Sequence, residues 1–207
     1  MKRTLITVAV LALAVPLSAC GTSSTAGINQ SATVAAKAST AAAPAAGATT
    51  GAFNDADTTF AQGMIPHHEQ AIEMADMALD PQTAAGPKIV ALAKAIKAAQ
   101  DPEIATMKGW LAAWGKDASG AMVGMNHSGG AMPGMMTAVD MTSLGKAKAA
   151  EFDKVWATMM IAHHKGAIDM ANTVIKDGKF AATKTLAAAV VKGQQVEIDQ
   201  MTALLKG

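Results

Sequence analysis

One stretch occurs twice in this sequence: MIPHHEQAIEMA at residues 64–75 and MIAHHKGAIDMA at residues 160–171. The two copies align without a gap, and both keep the His-His pair, Ala-Ile, an acidic residue and Met-Ala at the same spacing. Four of the five histidines in the chain lie in these copies. A match of this length at one fixed offset indicates an internal duplication, so we expect the two halves to fold alike.

Each copy has the periodicity of an amphipathic helix. At about 100° per residue, Met64 and Ala71 share an apolar stripe, whereas Glu69 falls on the opposite side. The two adjacent histidines flank this stripe, and the methionine seven residues after the first histidine lies nearly in register with it. Each copy therefore presents two imidazoles and two thioethers to the interior as candidate metal ligands. They are Met64, His67, His68 and Met74 in the first copy, and Met160, His163, His164 and Met170 in the second.

A second repeat follows each copy, as QDPEIATM from residue 100 and QQVEIDQM from residue 194. On a helical wheel, a glutamate and the methionine four residues later share an otherwise apolar face in both repeats. A buried carboxylate is costly unless it meets a cation, a metal or a hydrogen-bond donor. We therefore expect the glutamates to meet the histidines of the neighbouring helix and to orient them or add ligands. The residues concerned are Glu103, Met107, Glu197 and Met201.

The pattern predicts an all-α, ferritin-like four-helix bundle over residues 53–207, built from two tandem helix pairs. Strand signals are weak, because the chain has no tyrosine and only 4 phenylalanines. Proline and glycine mark helix ends, and Pro66 predicts a kink within the first helix. The predicted helices are about Asn54–Leu79, Pro87–Trp114, Ser143–Lys176 and Ala181–Leu205.

The N-terminal segment has the features of a lipoprotein export signal. Lys2 and Arg3 precede a short apolar run that ends in Leu-Ser-Ala-Cys, too short for a spanning helix. We expect residues 1–19 to be removed and Cys20, the only cysteine, to be lipidated, which anchors the protein to a bacterial membrane at the cell surface or in the periplasm. The alternative is ordinary secretion with a free thiol. Residues 20–52 are rich in Ala, Thr, Ser and Gly and are predicted to be a disordered stalk.

Charge gives no indication of a polyanionic partner. The chain has 17 basic and 16 acidic residues, and two of the basic residues lie in the predicted signal. The remaining domain is close to neutral, which argues against binding to nucleic acid.

A methionine-rich segment at about residues 115–140 joins the two halves, and it is predicted to be a loop. A loop gains little from exposing many thioethers, whereas methionine selects Cu(I) and imidazole suits Cu(II). We interpret the segment as a soft-metal cluster, and the alternative is an oxidation-prone linker. Its candidate ligands are Met122, Met125, His127, Met132, Met135 and Met136.

These motifs resemble a known family, the ferritin-like four-helix proteins catalogued as domain of unknown function 305. The resemblance covers about residues 53–206. It rests on Met-Ile-Pro-His-His at 64–68, Met-Pro-Gly-Met-Met at 132–136, Met-Met-Ile-Ala-His-His at 159–164 and the Glu-Ile pairs at 103–104 and 197–198. It implies an exported helical bundle, and some members of the family are periplasmic copper binders in copper resistance.

Three functions are compatible with these residues. The first is a non-enzymatic lipoprotein that binds copper, with other transition metals as alternatives, and buffers it or passes it to a partner protein or a second copy. The second is a ferritin-like di-metal oxidase, which requires Glu-x-x-His motifs that neither His-His pair provides. The third is an interaction module without a metal, in which the His-Glu pairs are structural.

Overall fold

The computed structural model describes residues 51–118 and 132–207, and these ranges contain five α-helices, one short 3-10 helix at Pro81–Thr83 and no strand. The helices are α1 Asp55–Leu79, α2 Pro87–Ala113, α3 Ala138–Lys146, α4 Ala149–Asp177 and α5 Ala181–Lys206. The four long helices confirm the all-α bundle. The helix α1 continues through Pro66 as a single element. None of the described helices is long and apolar enough to cross a membrane.

The long helices pair as the duplication predicts. Helix α1 packs on α2, helix α4 packs on α5, and the two pairs meet mainly where α1 contacts α4. Because α1 and α4 carry the two copies of the duplicated stretch, this arrangement places both His-His pairs inside the bundle.

The third predicted helix is wrong at its N-terminal end. The sequence predicted one helix over about Ser143–Lys176, but the chain forms α3 and then turns before α4, with Lys148 extended and Ala149 at a φ of 50°. Thr137 and Asp140 form a capping box that starts α3 earlier than predicted. The turn allows Leu144 and Phe152 both to be fully buried in the same hydrophobic cluster.

Two equivalent aspartates connect the halves of the duplication. The carboxylate of Asp57, in α1, accepts hydrogen bonds from the backbone N–H groups of Lys179 (2.9 Å) and Phe180 (3.0 Å), just before α5. Asp153 occupies the same place in α4 and accepts from the backbone N–H of Gly86 (2.9 and 3.1 Å), just before α2. The first helix of each half therefore caps the second helix of the other half, as a pseudo-twofold arrangement requires.

The apolar core consists of two clusters with equivalent methionines. Met64, Met107 and Met170 belong to the first cluster, and Met74, Met160 and Met201 belong to the second. On α1 the histidines lie between Met64 and Met74, and on α4 they lie between Met160 and Met170. The histidines therefore occupy the boundary between the two clusters.

Candidate metal centre

The two His-His copies converge on one buried centre. His67, His68, His163 and His164 are all fully buried. The ring centroids of His67 and His163 are 3.8 Å apart, with an angle of 43° between the rings, and those of His163 and His164 are 6.4 Å apart. The centre therefore combines imidazoles from both halves of the duplication.

Each half contributes one histidine that is paired with a glutamate. The Nε2 atom of His68 lies 2.8 Å from Oε2 of Glu103, and Nε2 of His164 lies 2.7 Å from Oε2 of Glu197. The predicted pairing of these glutamates with histidines is confirmed. A carboxylate can only accept a hydrogen bond, so the proton of a neutral imidazole lies on Nε2 and its lone pair lies on Nδ1. Carboxylates commonly orient metal-binding histidines in this way.

The other two histidines differ in their partners. The Nε2 atom of His67 donates to the backbone carbonyl of Pro133 at 3.0 Å, whereas neither ring nitrogen of His163 makes a hydrogen bond. The Nδ1 atoms of His67, His68 and His164 are also buried without a partner. Buried polar atoms are rarely left unpaired, so these imidazole nitrogens are candidate donors to a metal ion.

The electrostatic environment keeps the central pair neutral. Burial lowers the pKa of His67 to about 4, although its hydrogen bond to Pro133 acts in the opposite direction. Burial also lowers the pKa of His163, and the neighbouring His67, His164 and His68 lower it further, whereas the nearby backbone of His67 acts weakly in the opposite direction. Neutral imidazole is the form that binds metals, and His67 and His163 require no proton loss near pH 7.

These shifts predict that the apoprotein loses stability in mild acid. As the pH falls from 6.5 towards 4, the unfolded chain protonates His67 while the folded protein keeps it neutral. This difference at His67 alone lowers the free energy of unfolding by about 2 kcal/mol at pH 5. His163 adds to the loss.

Urea denaturation of the metal-free protein at pH 7 and pH 5 measures this loss. The control is the double variant His67→Leu/His163→Leu, whose stability should fall much less over the same interval. An equal loss in both proteins would assign the acid sensitivity to other groups.

The predicted methionine ligands all lie in or against the apolar clusters. Met64, Met74 and Met160 are fully buried, and Met170 is partly buried. The indole N–H of Trp156 donates to the backbone carbonyl of Met74 at 2.8 Å. Apolar packing thus accounts for these methionines, and their role as ligands stays a prediction.

The described C-terminal part of the methionine-rich segment packs on the bundle. Helix α3 begins within it, and residues 132–136 lie against the bundle. A Cβ atom added to Gly63 would lie 2.9 Å from Cε of Met170 and 3.7 Å from Sδ of Met132, so these two thioethers share the space over this glycine. Met135 and Met136 are half-buried.

Several predicted features lie outside the described residues. They are the export signal, Cys20 and the stalk near the N-terminus, and Met122, Met125 and His127 in the methionine-rich segment.

Two buried glutamines on the helices of the paired glutamates were not among the predicted site residues. Both amide atoms of Gln100 are buried and unpaired, as is Oε1 of Gln194. Each glutamine precedes a paired glutamate by three residues, which places it on the same helix face as Glu103 or Glu197. The repeat itself carried this signal, because glutamine occupies both equivalent positions.

Within residues 51–118 and 132–207, no three His, Cys, Asp or Glu side chains are grouped so as to hold a metal ion. The imidazoles would therefore need further donors of another type. Thioethers and amide or backbone oxygens are the available groups, and thioethers favour a soft ion.

Comparisons with known proteins agree with this architecture. The family model described as "Domain of unknown function (DUF305)" matches residues 57–205. The crystal structure of a putative secreted DUF305 protein from Streptomyces coelicolor is 30% identical over 73% of this chain and 92% of that chain, with a TM-score of 0.65. None of the curated proteins matches.

The protein CopM is also similar, and its structure has been solved with copper. The Cu(II)-bound form is 33% identical over 72% of this chain and 95% of that chain, with a TM-score of 0.62. The Cu(I)-bound form is 31% identical over the same shares, with a TM-score of 0.58. With the family model covering most of the described bundle, the chain belongs to the DUF305 family.

Proposed function

We propose that this protein binds copper outside the cytoplasm, at the buried centre where the two His-His copies meet. The observation that carries the proposal is His163, which is fully buried beside His67 with both ring nitrogens unpaired. Leaving such atoms unsatisfied is costly, and a metal ion would bind the ring nitrogen that carries the lone pair. The copper-bound forms of CopM, a similar protein, support copper as the metal.

The donor types suit both oxidation states of copper. Neutral imidazole binds Cu(II) and Cu(I), whereas thioethers favour Cu(I). Met64 and Met160 each lie on the same helix as a histidine pair and three residues before it, which is neighbouring spacing on a helix. We propose these two methionines as the first thioether ligands to test. Met74 and Met170 are further candidates.

The His-Glu pairs support two interpretations. They orient imidazoles towards a metal, but they also form complete hydrogen bonds without one. This second point favours a purely structural role, as in an interaction module without a metal. His67 and His163 distinguish the functions, since a structural network gives no reason to bury His163 without a partner.

The remaining parts of the proposal come from the sequence. Lipidation at Cys20 and the predicted stalk would hold the domain at a bacterial membrane, at the cell surface or in the periplasm. There it would buffer copper or transfer it to a partner, without catalysis. Met122, Met125 and His127 would add capacity for Cu(I).

Copper titration of the mature chain tests the proposal. We expect one Cu(II) site that depends on the central histidines, together with additional Cu(I) capacity measured against a chelator. Replacing Met122 and Met125 by leucine and His127 by alanine should lower the Cu(I) capacity and leave the Cu(II) site intact.

Two results would contradict this assignment. Absence of Cu(II) binding by the wild type would refute the proposed function. Unchanged Cu(I) capacity in the triple variant would show that the loop methionines are not ligands.

A further inference from the structure

A short segment, Met132–Met136, lies across the histidine centre, and we refer to it as the strap. The carbonyl of Pro133 accepts from Nε2 of His67 at 3.0 Å. Gly134 has a φ of 78°, and a Cβ atom there would lie 2.6 Å from the carbonyl oxygen of Ala162 in α4. The strap therefore contacts both helices that carry the histidines.

One side chain of α1 fixes the end of the strap. The amide of Gln70 donates to the carbonyl of Met136 at 2.9 Å and accepts from the N–H of Met136 at 2.7 Å. These two bonds to one backbone unit define both the position and the direction of the strap. Gln70 itself lies three residues after His67, on the neighbouring part of the helix surface.

The two copies of the duplicated stretch differ at the position that meets the strap. Gln70 of the first copy corresponds to Gly166 of the second copy. A Cβ atom on Gly166 would overlap the carbonyl of Pro133, so the absence of a side chain makes room for the strap. One copy thus holds the strap and the other accommodates it.

This difference makes the two central histidines unequal. Because the strap supplies an acceptor to Nε2 of His67, this ring keeps its proton on Nε2 and its lone pair on Nδ1. His163 receives no corresponding acceptor from the strap, and its ring nitrogens make no hydrogen bond. A hydrogen bond to a backbone carbonyl is a common way of fixing the tautomer of a metal-binding histidine.

We propose that Gln70 is a positioning residue of the metal centre, which acts by holding the carbonyl of Pro133 on Nε2 of His67, so that His67 offers Nδ1 to copper. This inference rests on the proposed copper function for its last step. The first step, control of the His67 tautomer by Gln70 through the strap, holds in the metal-free protein and is tested there.

Two variants displace the strap by different means. Gln70→Ala removes both hydrogen bonds to Met136 without adding atoms, and Gly166→Ala introduces a Cβ atom where the carbonyl of Pro133 lies. The matched control is Gly109→Ala, because a Cβ atom on this helical glycine has nothing within 4 Å. Gln70→Glu keeps the acceptor for the N–H of Met136, so this variant should hold the strap partly in place.

The first measurement is the tautomer of His67 in the metal-free, full-length mature protein, from 15N chemical shifts and long-range couplings near pH 7.5. We expect Nε2–H in the wild type and in Gly109→Ala, and a mixture of tautomers in Gln70→Ala and Gly166→Ala. An unchanged tautomer in both strap variants, with the same helical content as the wild type, would overturn the proposal.

The second measurement is Cu(II) affinity of the same proteins. Loss of an outer hydrogen-bond partner of a metal-binding histidine lowers affinity by about 10- to 100-fold, which we expect for Gln70→Ala and Gly166→Ala but not for Gly109→Ala. Partial recovery in Gln70→Glu would support positioning by Gln70. If the strap variants changed the tautomer but bound copper as the wild type does, the link to the metal centre would be wrong. Failure of the wild type to bind copper would instead refute the proposed function, while the tautomer result would still test the strap.

Discussion

Replacing His163 with leucine is expected to lower Cu(II) affinity by about 100-fold or more, equivalent to about 2.7 kcal/mol. His163 is the only one of the four buried histidines whose two ring nitrogens both lack a hydrogen-bond partner. It also lies against His67, with ring centroids 3.8 Å apart. Isothermal titration or competition with a Cu(II) chelator measures the loss.

The same substitution should leave the metal-free protein as stable as the wild type or more stable, by about 1 kcal/mol. Leucine removes two buried polar atoms that have no partner and keeps a similar volume. A decrease of several kcal/mol in unfolding free energy would show that His163 has a structural role. Unchanged copper affinity would remove it from the metal site.

His164→Leu is the informative comparison. This substitution removes the donor to Glu197 and leaves a largely buried carboxylate without its partner, so we expect the metal-free protein to be destabilised. If the two substitutions change the unfolding free energy in opposite directions, His163 serves metal binding alone, whereas His164 also stabilises the fold. Equal stability changes would contradict the structural distinction between them.

Replacing Asp57 with alanine is expected to destabilise the protein by about 3–5 kcal/mol, because it leaves backbone donors just before α1 and just before α5 without an acceptor. The carboxylate is fully buried and accepts from the N–H groups of Asn54, Lys179 and Phe180. Chemical denaturation of the metal-free protein at pH 7 measures this change.

The matched control is Asp153→Ala, at the equivalent position of the second copy. Asp153 is only partly buried and bonds the single N–H of Gly86, so a smaller loss of about 1–2 kcal/mol is expected. If Asp57→Ala lowered the unfolding free energy no more than Asp153→Ala does, the buried hydrogen bonds to Lys179 and Phe180 would not contribute the expected stability.

The sequence was sufficient for much of the bundle, because duplication and helical periodicity are local properties. The spacing of Met64, His67 and His68 placed the histidines on an inward face, and the repeated glutamates predicted partners for them. The start of α3 was missed, since it depends on the capping box at Thr137 and on the burial of Leu144. A helical wheel that begins at Ser143 shows neither the capping box at Thr137 nor the packing of Leu144.

The sequence by itself determined that this protein has two histidine pairs on equivalent amphipathic helices and that each pair has a glutamate available to it. Only the tertiary structure decided that the pairs meet in one centre, because the distance between His67 and His163 depends on how α1 packs against α4. It also made the two copies unequal, through a strap that bonds Gln70 and His67 but only fits over Gly166. Residues far apart in the chain make that contact, so no local pattern in either copy specifies it.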